Sequence, residues 1–186
     1  MRTIGADGVQ GLTLRQVGDR LGVSRTALYR HFSDKSTLLA AVAADGFLRF
    51  RDDLRHAWQS AEGTWTGFER MGAAYVHFAV AHPAHYRVMF GDYRAHCARN
   101  PDLQTDAASA FGVLVAALAS LQQAGVSRAD ETTLLAGFIW ATMHGIAMLA
   151  IDGQLGPEPD SSGRLDALLK LGVSRMRSGI ELEPAR

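Results

Sequence analysis

Between positions 25 and 35 the chain carries Arg25, Thr26, Tyr29, Arg30, His31 and Lys35. These side chains supply guanidinium forks, an ammonium, hydroxyls and an imidazole, a set suited to phosphate oxygens and base edges. A guanidinium can grip phosphate oxygens or the O6 and N7 of guanine, and a threonine can bond to a base or touch a thymine methyl. Tyr29 adds a phenol suited to a phosphate and a ring able to pack on sugar.

The flanking residues say how such a set would be held. Thr13 is a good helix N-cap, and Leu14, Val17 and Leu21 recur at i, i+3 and i+7 as one apolar face. Gly22 follows where a helix that ends in a left-handed residue favours glycine. Val23 is expected to be buried in the turn, and Ser24 to cap a second helix. Two short helices joined by a tight glycine turn form a helix-turn-helix. At 100° per residue Ala27, Leu28, His31 and Phe32 share the inner side of the second helix; Arg25, Thr26, Tyr29 and Arg30 lie on the outer. Ser33 is expected to cap a third helix that places Lys35 near a nucleic-acid backbone. The first amides of the helices after Thr13 and Ser33 are phosphate donors in their own right.

This segment is the basic part of a chain with no net charge. Nineteen Lys and Arg balance nineteen Asp and Glu over 186 residues. Residues 1–50 hold seven basic and four acidic side chains, a balance of +3, and the remaining 136 hold twelve and fifteen, a balance of −3. Zero net charge therefore hides a basic front end, which fits a nucleic-acid contact confined to that end. With 47% apolar residues the chain is not disordered. A single cysteine, Cys97, excludes a disulfide framework and a Cys-rich zinc module, and fits a reducing, cytoplasmic setting.

Helices are expected throughout, near 13–22, 24–32, 34–60, 66–82, 83–91, 101–124, 128–151 and 161–178, with 152–163 as the clearest long loop. The five prolines fall at helix borders, and no Asn-Gly or Asp-Gly turn sits between alternating apolar runs. Residues 107–127 and Thr132–Ile151 carry no charged side chain and approach the length that spans a bilayer. Ser109, Ser120, Gln122, Gln123, Thr132, Thr133, Thr142 and His144 interrupt them, and no cluster of Lys or Arg marks a flank. Helices apolar nearly all round are buried on several sides, so the reading is a soluble oligomer without membrane contact.

Residues 13–39 closely resemble the DNA-binding segment of TetR-family transcriptional regulators. Thr13, Leu14, Val17, Leu21, Gly22, Val23, Ser24, Leu28, Tyr29, His31, Phe32, Lys35, Leu38 and Leu39 stand where that pattern has them, and Gly18 stands where alanine is usual. The resemblance implies that Tyr29, His31 and Lys35 contact DNA phosphates while Arg25, Thr26 and Arg30 read bases. On periodicity alone His31 would be a satisfied core histidine. Family members carry a full first helix ending shortly before the glycine matched by Gly8, whereas residues 1–6, with Ile4 their one clear apolar side chain, precede it here. A trihelical unit short of most of one helix would expose Leu14, Val17 and Leu28. The expectation is a shortened front end and weaker DNA binding than in a chain extended upstream.

The body resembles the family too. Residues 75–90 look like a helix ending before His82-Pro83 followed by a short helix, and Trp140, His144 and Gly145 resemble the subclass with a Trp-His-Gly motif. The resemblance implies an all-α protein: a helix-turn-helix DNA-binding domain at 1–45, then a helical effector-binding and dimerisation domain at 46–186. The last two helices, near 128–151 and 161–178, would pair with their copies in a homodimer. Candidate effector-binding residues are Trp58, Phe68, Tyr75, Phe78, His82, Tyr86, Met89, Phe90, Trp140, Met143 and His144, a set suited to a small apolar or aromatic molecule. His82 and His144 are the polar members able to orient it, although each of these residues alone is at least as well explained as packing core.

Metal and enzyme readings are weaker. His77 and His82 stand at i, i+5, Pro83 breaks the run towards His85, and His96 and Cys97 complete no helical pair. Cys97 has no defined base, and neither a Gly-rich phosphate loop nor a Gly-x-Ser-x-Gly elbow occurs. The expectation is therefore a regulator without cofactor, metal or turnover, a repressor released from a palindromic operator in double-stranded DNA by its effector. The competing reading is a dimeric small-molecule-binding protein that does not read DNA.

Overall fold

Thr13 closes a reciprocal cap on the first helix. Its Oγ1 accepts from the Gln16 N–H at 3.2 Å, while Gln16 Oε1 accepts from the Thr13 N–H at 2.9 Å. The computed structural model describes residues 11–91, 101–156 and 160–181; the side chains of Arg25, Pro101, Asp160, Ser161 and Ser162 lie outside the description. The expectations on residues 1–8, His96 and Cys97, and the side-chain role of Arg25, thus fall outside the described residues. Among the described residues the chain forms helices and no strand: α1 (Leu14–Leu21), α2 (Arg25–His31), α3 (Lys35–Gln59), α4 (Trp65–Ala81), α5 (Pro83–Phe90), α6 (Pro101–Gln123), α7 (Thr132–Ile151) and α8 (Asp160–Ile180).

Each turn near the front has a visible cause. Gly22 takes φ 66° and ψ 23°, a left-handed conformation, and its N–H donates to the Gly18 carbonyl. Ser24 Oγ then accepts from the Ala27 N–H at 3.2 Å and starts α2. The cap of α3 is not Ser33 but Asp34, whose carboxylate accepts from the Thr37 N–H at 2.8 Å. Ser33 acts one step removed, with its hydroxyl 3.3 Å from the Asp34 carboxylate and 3.0 Å from Thr37 Oγ1. A carboxylate is the stronger acceptor at a helix N-terminus, which explains the shift of the cap by one residue. The Thr37 N–H, then the Thr37 hydroxyl, hold the Asp34 carboxyl below its ordinary value.

Leu21 and Val23, expected inside, are 65% and 42% exposed. Leu21 closes a helix of eight residues, one turn past the buried Gly18, and Val23 follows the left-handed residue at the apex of the turn. Leu14 and Leu28 are buried, as their place on the inner face requires, and Val17 is half-buried, so the exposure expected of a shortened front end does not occur at these three positions.

The described residues divide into two compact units, one of 11–48 with 82–91 and 101–107, the other of 49–81 with 108–156 and 160–181. In the first, Phe47 packs edge-on against Phe90 at 5.3 Å, Tyr86 lies 4.7 Å from Phe90, and Gly46 admits Met89, whose Sδ would meet a Cβ there at 2.6 Å. In the second, α7 packs on α4 and α8, and α4 packs on α8. Glycines allow the approach: a Cβ at Gly72 would lie 3.0 Å from Val173 and 3.5 Å from Met143, and one at Gly172 would lie 3.3 Å from Ile146. Ala136, Ile139, Met143, Ile146 and Ala147 are the buried side of α7. By length and composition α7, and 102–123 within α6, could cross a membrane, although here α7 is a packed member of a helical bundle.

The helix expected from 128 starts at Thr132. Arg128 N–H donates to the Ile180 carbonyl at 2.8 Å, Ser127 bridges to Glu181, and Gln122 Nε2 donates to the carbonyls of Arg128 and Asp130 at 3.0 and 2.9 Å. These bonds hold 127–130 out of helical geometry. Glu131 then caps α7 by accepting from the N–H groups of Leu134 and Thr133, which also lower its pKa. At the far end of α8, Arg177 forms a two-pronged pair with Glu181 (3.0 and 2.9 Å), reaches Glu69 at 3.2 Å and stacks 5.6 Å over the Trp65 ring.

Gly22 tests the turn directly, because a Cβ there would meet nothing within 4 Å. A Gly22→Ala variant should lose about 1 kcal/mol through backbone strain alone, measured by urea denaturation; unchanged stability would remove the left-handed turn as a constraint.

Candidate functional site

The DNA-facing candidates sit on α2 and at the mouths of α1 and α3. Thr26, Tyr29, Arg30 and His31 are all exposed, while Leu28 is buried and Ala27 and Phe32 are half-buried. Positions 26, 29 and 30 share one helix face by their i, i+3 and i+4 spacing. His31 therefore is no core histidine, despite its place among the inner residues by periodicity. Thr13 and Ser24 are exposed caps; the Thr13 hydroxyl donates to Gln16 Oε1 at 3.0 Å, whereas that of Ser24, accepting at its cap, keeps its proton to donate. Lys35 is half-buried and opens α3.

The effector candidates fall into separate groups. Tyr75, Phe78, Trp140, Met143 and His144 belong to the unit of α4, α7 and α8, and there a hydrogen-bonded cluster forms. Trp140 Nε1–H donates to Tyr75 Oη at 2.8 Å, and Tyr75 Oη lies 3.4 Å from His144 Nδ1. The phenol accepts from the indole, and its own proton can go to Nδ1 of a neutral His144 in the tautomer protonated at Nε2. Burial pushes the His144 pKa down, favouring that neutral form. Around the trio are aromatic edges: Phe50 meets Tyr75 at 4.9 Å and Phe78 at 5.1 Å, and Phe111 stands 5.9 Å from Trp140. Phe50 and Phe111 were not among the candidates. They lie 25 and 29 positions from the rings they touch, and only the helix packing brings them there.

The other candidates serve elsewhere. Trp58, half-buried, covers Gly63 in the α3–α4 connection and Gly67 in the first turn of α4, and Phe68 packs edge-on against Trp65 at 5.6 Å. In the other unit Tyr86, Met89 and Phe90 close around Phe47 and Gly46. His82 is exposed, caps no amide of α5 with its side chain, and lies 5.9 Å from His85, whose Nε2 is 3.6 Å from Asp45. Among the described residues no three His, Cys, Asp or Glu side chains gather to hold a metal ion.

A capped helix-turn-helix with a polar, basic outer face, followed in the chain by a larger helical body, defines the class of DNA-binding transcriptional regulators. Residues 1–42 match the family model described as bacterial regulatory proteins, tetR family, and residues 68–171 match that of the tetracyclin repressor-like C-terminal domain. The chain belongs to the TetR family of bacterial transcriptional regulators, a family of regulators and not of enzymes. It is 29% identical to the class C tetracycline repressor protein of Escherichia coli over 174 residues, 94% of this chain and 71% of that one. Its 39% identity to the class A repressor protein from transposon 1721 of Escherichia coli runs over 61 residues, 33% of this chain and only 27% of that protein. A solved protein of unknown function from Rhodococcus sp. RHA1 superposes with a TM-score of 0.83 at 31% identity, covering 97% of this chain and 90% of that one.

Two measurements examine the cluster. Tyr75→Phe removes the acceptor of the Trp140 indole and should cost about 1–3 kcal/mol in a denaturant melt. A loss below the error of the melt would mean that the indole finds another acceptor. His144 should also make stability depend on pH. Its folded pKa lies below the ordinary 6.5, so the unfolded chain takes up the proton first and stability falls as pH drops below that value. Melts from pH 8 to 5 should show a shallower fall in His144→Gln than in the natural chain, and parallel curves would contradict the assignment.

Proposed function

We propose that the chain is a ligand-responsive repressor that leaves a palindromic operator when a small hydrophobic or aromatic effector binds. The exposed row Thr26, Tyr29, Arg30 and His31 on the second helix of the helix-turn-helix carries the reading. Arg30 and Thr26, with Arg25, would read base edges in the major groove, and Tyr29, His31, Lys35 and the first amides of the helices after Thr13 and Ser33 would hold the phosphates. Residues 1–45 would then serve DNA and 46–186 the effector and dimerisation. Repression follows the printed names of the class A and class C relatives.

The effector reading rests on the Tyr75, Trp140 and His144 cluster: polar groups able to orient a ligand, edged by Phe50, Phe78 and Phe111. The chain passes between the two units along the unbroken α3, so an effector that prefers one placement of that helix would shift affinity for DNA by its differential binding.

Dimerisation through α7 and α8 accounts for large apolar side chains left at the surface, with Leu134 74%, Phe138 61% and Leu171 55% exposed. A two-fold dimer would set its α2 helices into successive major grooves about 34–36 Å apart. The protein would work in the cytoplasm, with its apolar helices buried in the bundle and the dimer, not in a bilayer.

Selection of bound sequences from a random DNA pool tests this reading. Palindromic half-sites should emerge, and enrichment should collapse on adding the right hydrophobic ligand. Arg30→Ala should lose about 1–3 kcal/mol of operator affinity, and Lys35→Ala should weaken all sequences alike and lower the salt dependence by about one unit. A dimer that enriches no sequence at low salt would instead be a small-molecule-binding protein that does not read DNA.

A further inference from the structure

Gln16 does more at the start of α1 than its cap requires. Its Oε1 accepts from the Thr13 N–H at 2.9 Å and from the Thr13 hydroxyl at 3.0 Å. An amide oxygen has two lone pairs, and both are taken. The Thr13 hydroxyl is equally committed, because it accepts from the Gln16 N–H at 3.2 Å and donates to Oε1. These bonds fix the orientation of the side-chain amide. Turned round, it would set its NH2 group against the Thr13 N–H, donor facing donor. Nε2 is therefore directed away from the cap. Both residues are exposed, and among the described residues Nε2 has no hydrogen-bond partner.

Capping alone does not explain a glutamine here. A capping box takes glutamate or glutamine at this position, and the helix dipole favours the anion. Elsewhere the chain uses that advantage, since the carboxylates of Asp34 and Glu131 cap α3 and α7. The two helices of the helix-turn-helix differ: their caps, Thr13 and Ser24, are neutral, and neither has an acid in its first turn. Asp19, the first acid of α1, stands further along and lies 3.8 Å from Arg15. Glutamate at 16 would serve the helix but oppose any anion at its mouth. Glutamine keeps the cap and adds two outward donors. An anionic partner accounts for both facts, and the family match over residues 1–42 supplies one in the phosphates of DNA.

We propose that Gln16 Nε2 donates to a phosphate oxygen of the DNA backbone, and that this amide, not the Thr13 hydroxyl, is the side-chain donor at the mouth of α1. The Thr13 hydroxyl has the other task of holding the amide in place. The contact rests on the helix-turn-helix being the DNA-binding face, and goes beyond it by adding a residue that the family pattern leaves open. A neutral donor releases no counterion, so it fixes where the backbone lies and leaves the salt dependence to the cations.

The test uses the full chain and a duplex carrying the sequence enriched from the random pool, with single phosphates replaced in turn by uncharged methylphosphonate. For the natural chain, replacement at the contacted phosphate should weaken binding by about tenfold. In Gln16→Ala the same replacement should cost less than about threefold, while replacements elsewhere cost what they did before. The slope of affinity against salt should not change, unlike that of Lys35→Ala. Gln16→Glu keeps the cap acceptor, so its melting temperature should equal or exceed that of the natural chain. It should nevertheless bind the unmodified duplex at least about tenfold more weakly. Methylphosphonate at the contacted phosphate alone should recover most of that loss, because it removes the charge that the glutamate opposes.

Equal penalties at every phosphate for the natural chain and Gln16→Ala overturn the contact and leave the DNA reading intact. So does a Gln16→Glu loss that no single replacement relieves. A natural chain that binds no duplex at low salt overturns both.

Discussion

Three helices can lie side by side at short range only where side chains give way, and the unit of α4, α7 and α8 depends on that concession. Gly72 on α4 admits Val173 and Met143, and Gly172 on α8 admits Ile146 and Met143, so Met143 of α7 stands where all three helices meet. With the backbones drawn together, Tyr75 of α4 falls within reach of Trp140 and His144, three residues before and one after Met143 on α7. The polar trio is thus a product of packing. A buried indole N–H without an acceptor is costly, so the trio in turn fixes how far α4 and α7 can slide past one another.

The helix-turn-helix answers a different demand. Its helices are short, at eight and seven residues, and too short to persist by propensity alone. Their ends are therefore satisfied one by one: Thr13 with Gln16, Gly22 in its left-handed turn, Ser24, and Asp34 with Thr37. Such capping leaves Thr26, Tyr29 and Arg30 exposed and outside the packed core of their unit. The packed and the exposed polar residues lie on opposite sides of one helix.

Much of this was legible in the residues. Thr13, Gly22 and Ser24 act locally, through bonds that span three or four positions, and local patterns are what a sequence displays. Helix bounds such as Pro83 and Pro101 followed for the same reason. The sequence reading failed where a choice depended on distant partners. Ser33 and Asp34 are both good caps, and geometry decided for the carboxylate. The start of α7 moved to Thr132 because the strand-like contact of Ser127 and Arg128 is made with Ile180 and Glu181, more than fifty positions away. Leu21 obeys helical periodicity and Val23 occupies the turn, yet both are exposed at the end of a short helix. Phe50 and Phe111 joined the aromatic cluster through tertiary packing, which no spacing within one helix announces.

That tie between the two ends has a consequence of its own. Arg128 N–H and Ser127 Oγ both donate to the Ile180 carbonyl, so the start of α7 and the finish of α8 are knotted together beyond the helices themselves. A helical hairpin closed at its open end cannot fray or splay there. Its surface is ordered before any partner arrives, and the entropy that association usually spends on stiffening two chains is already spent in folding one.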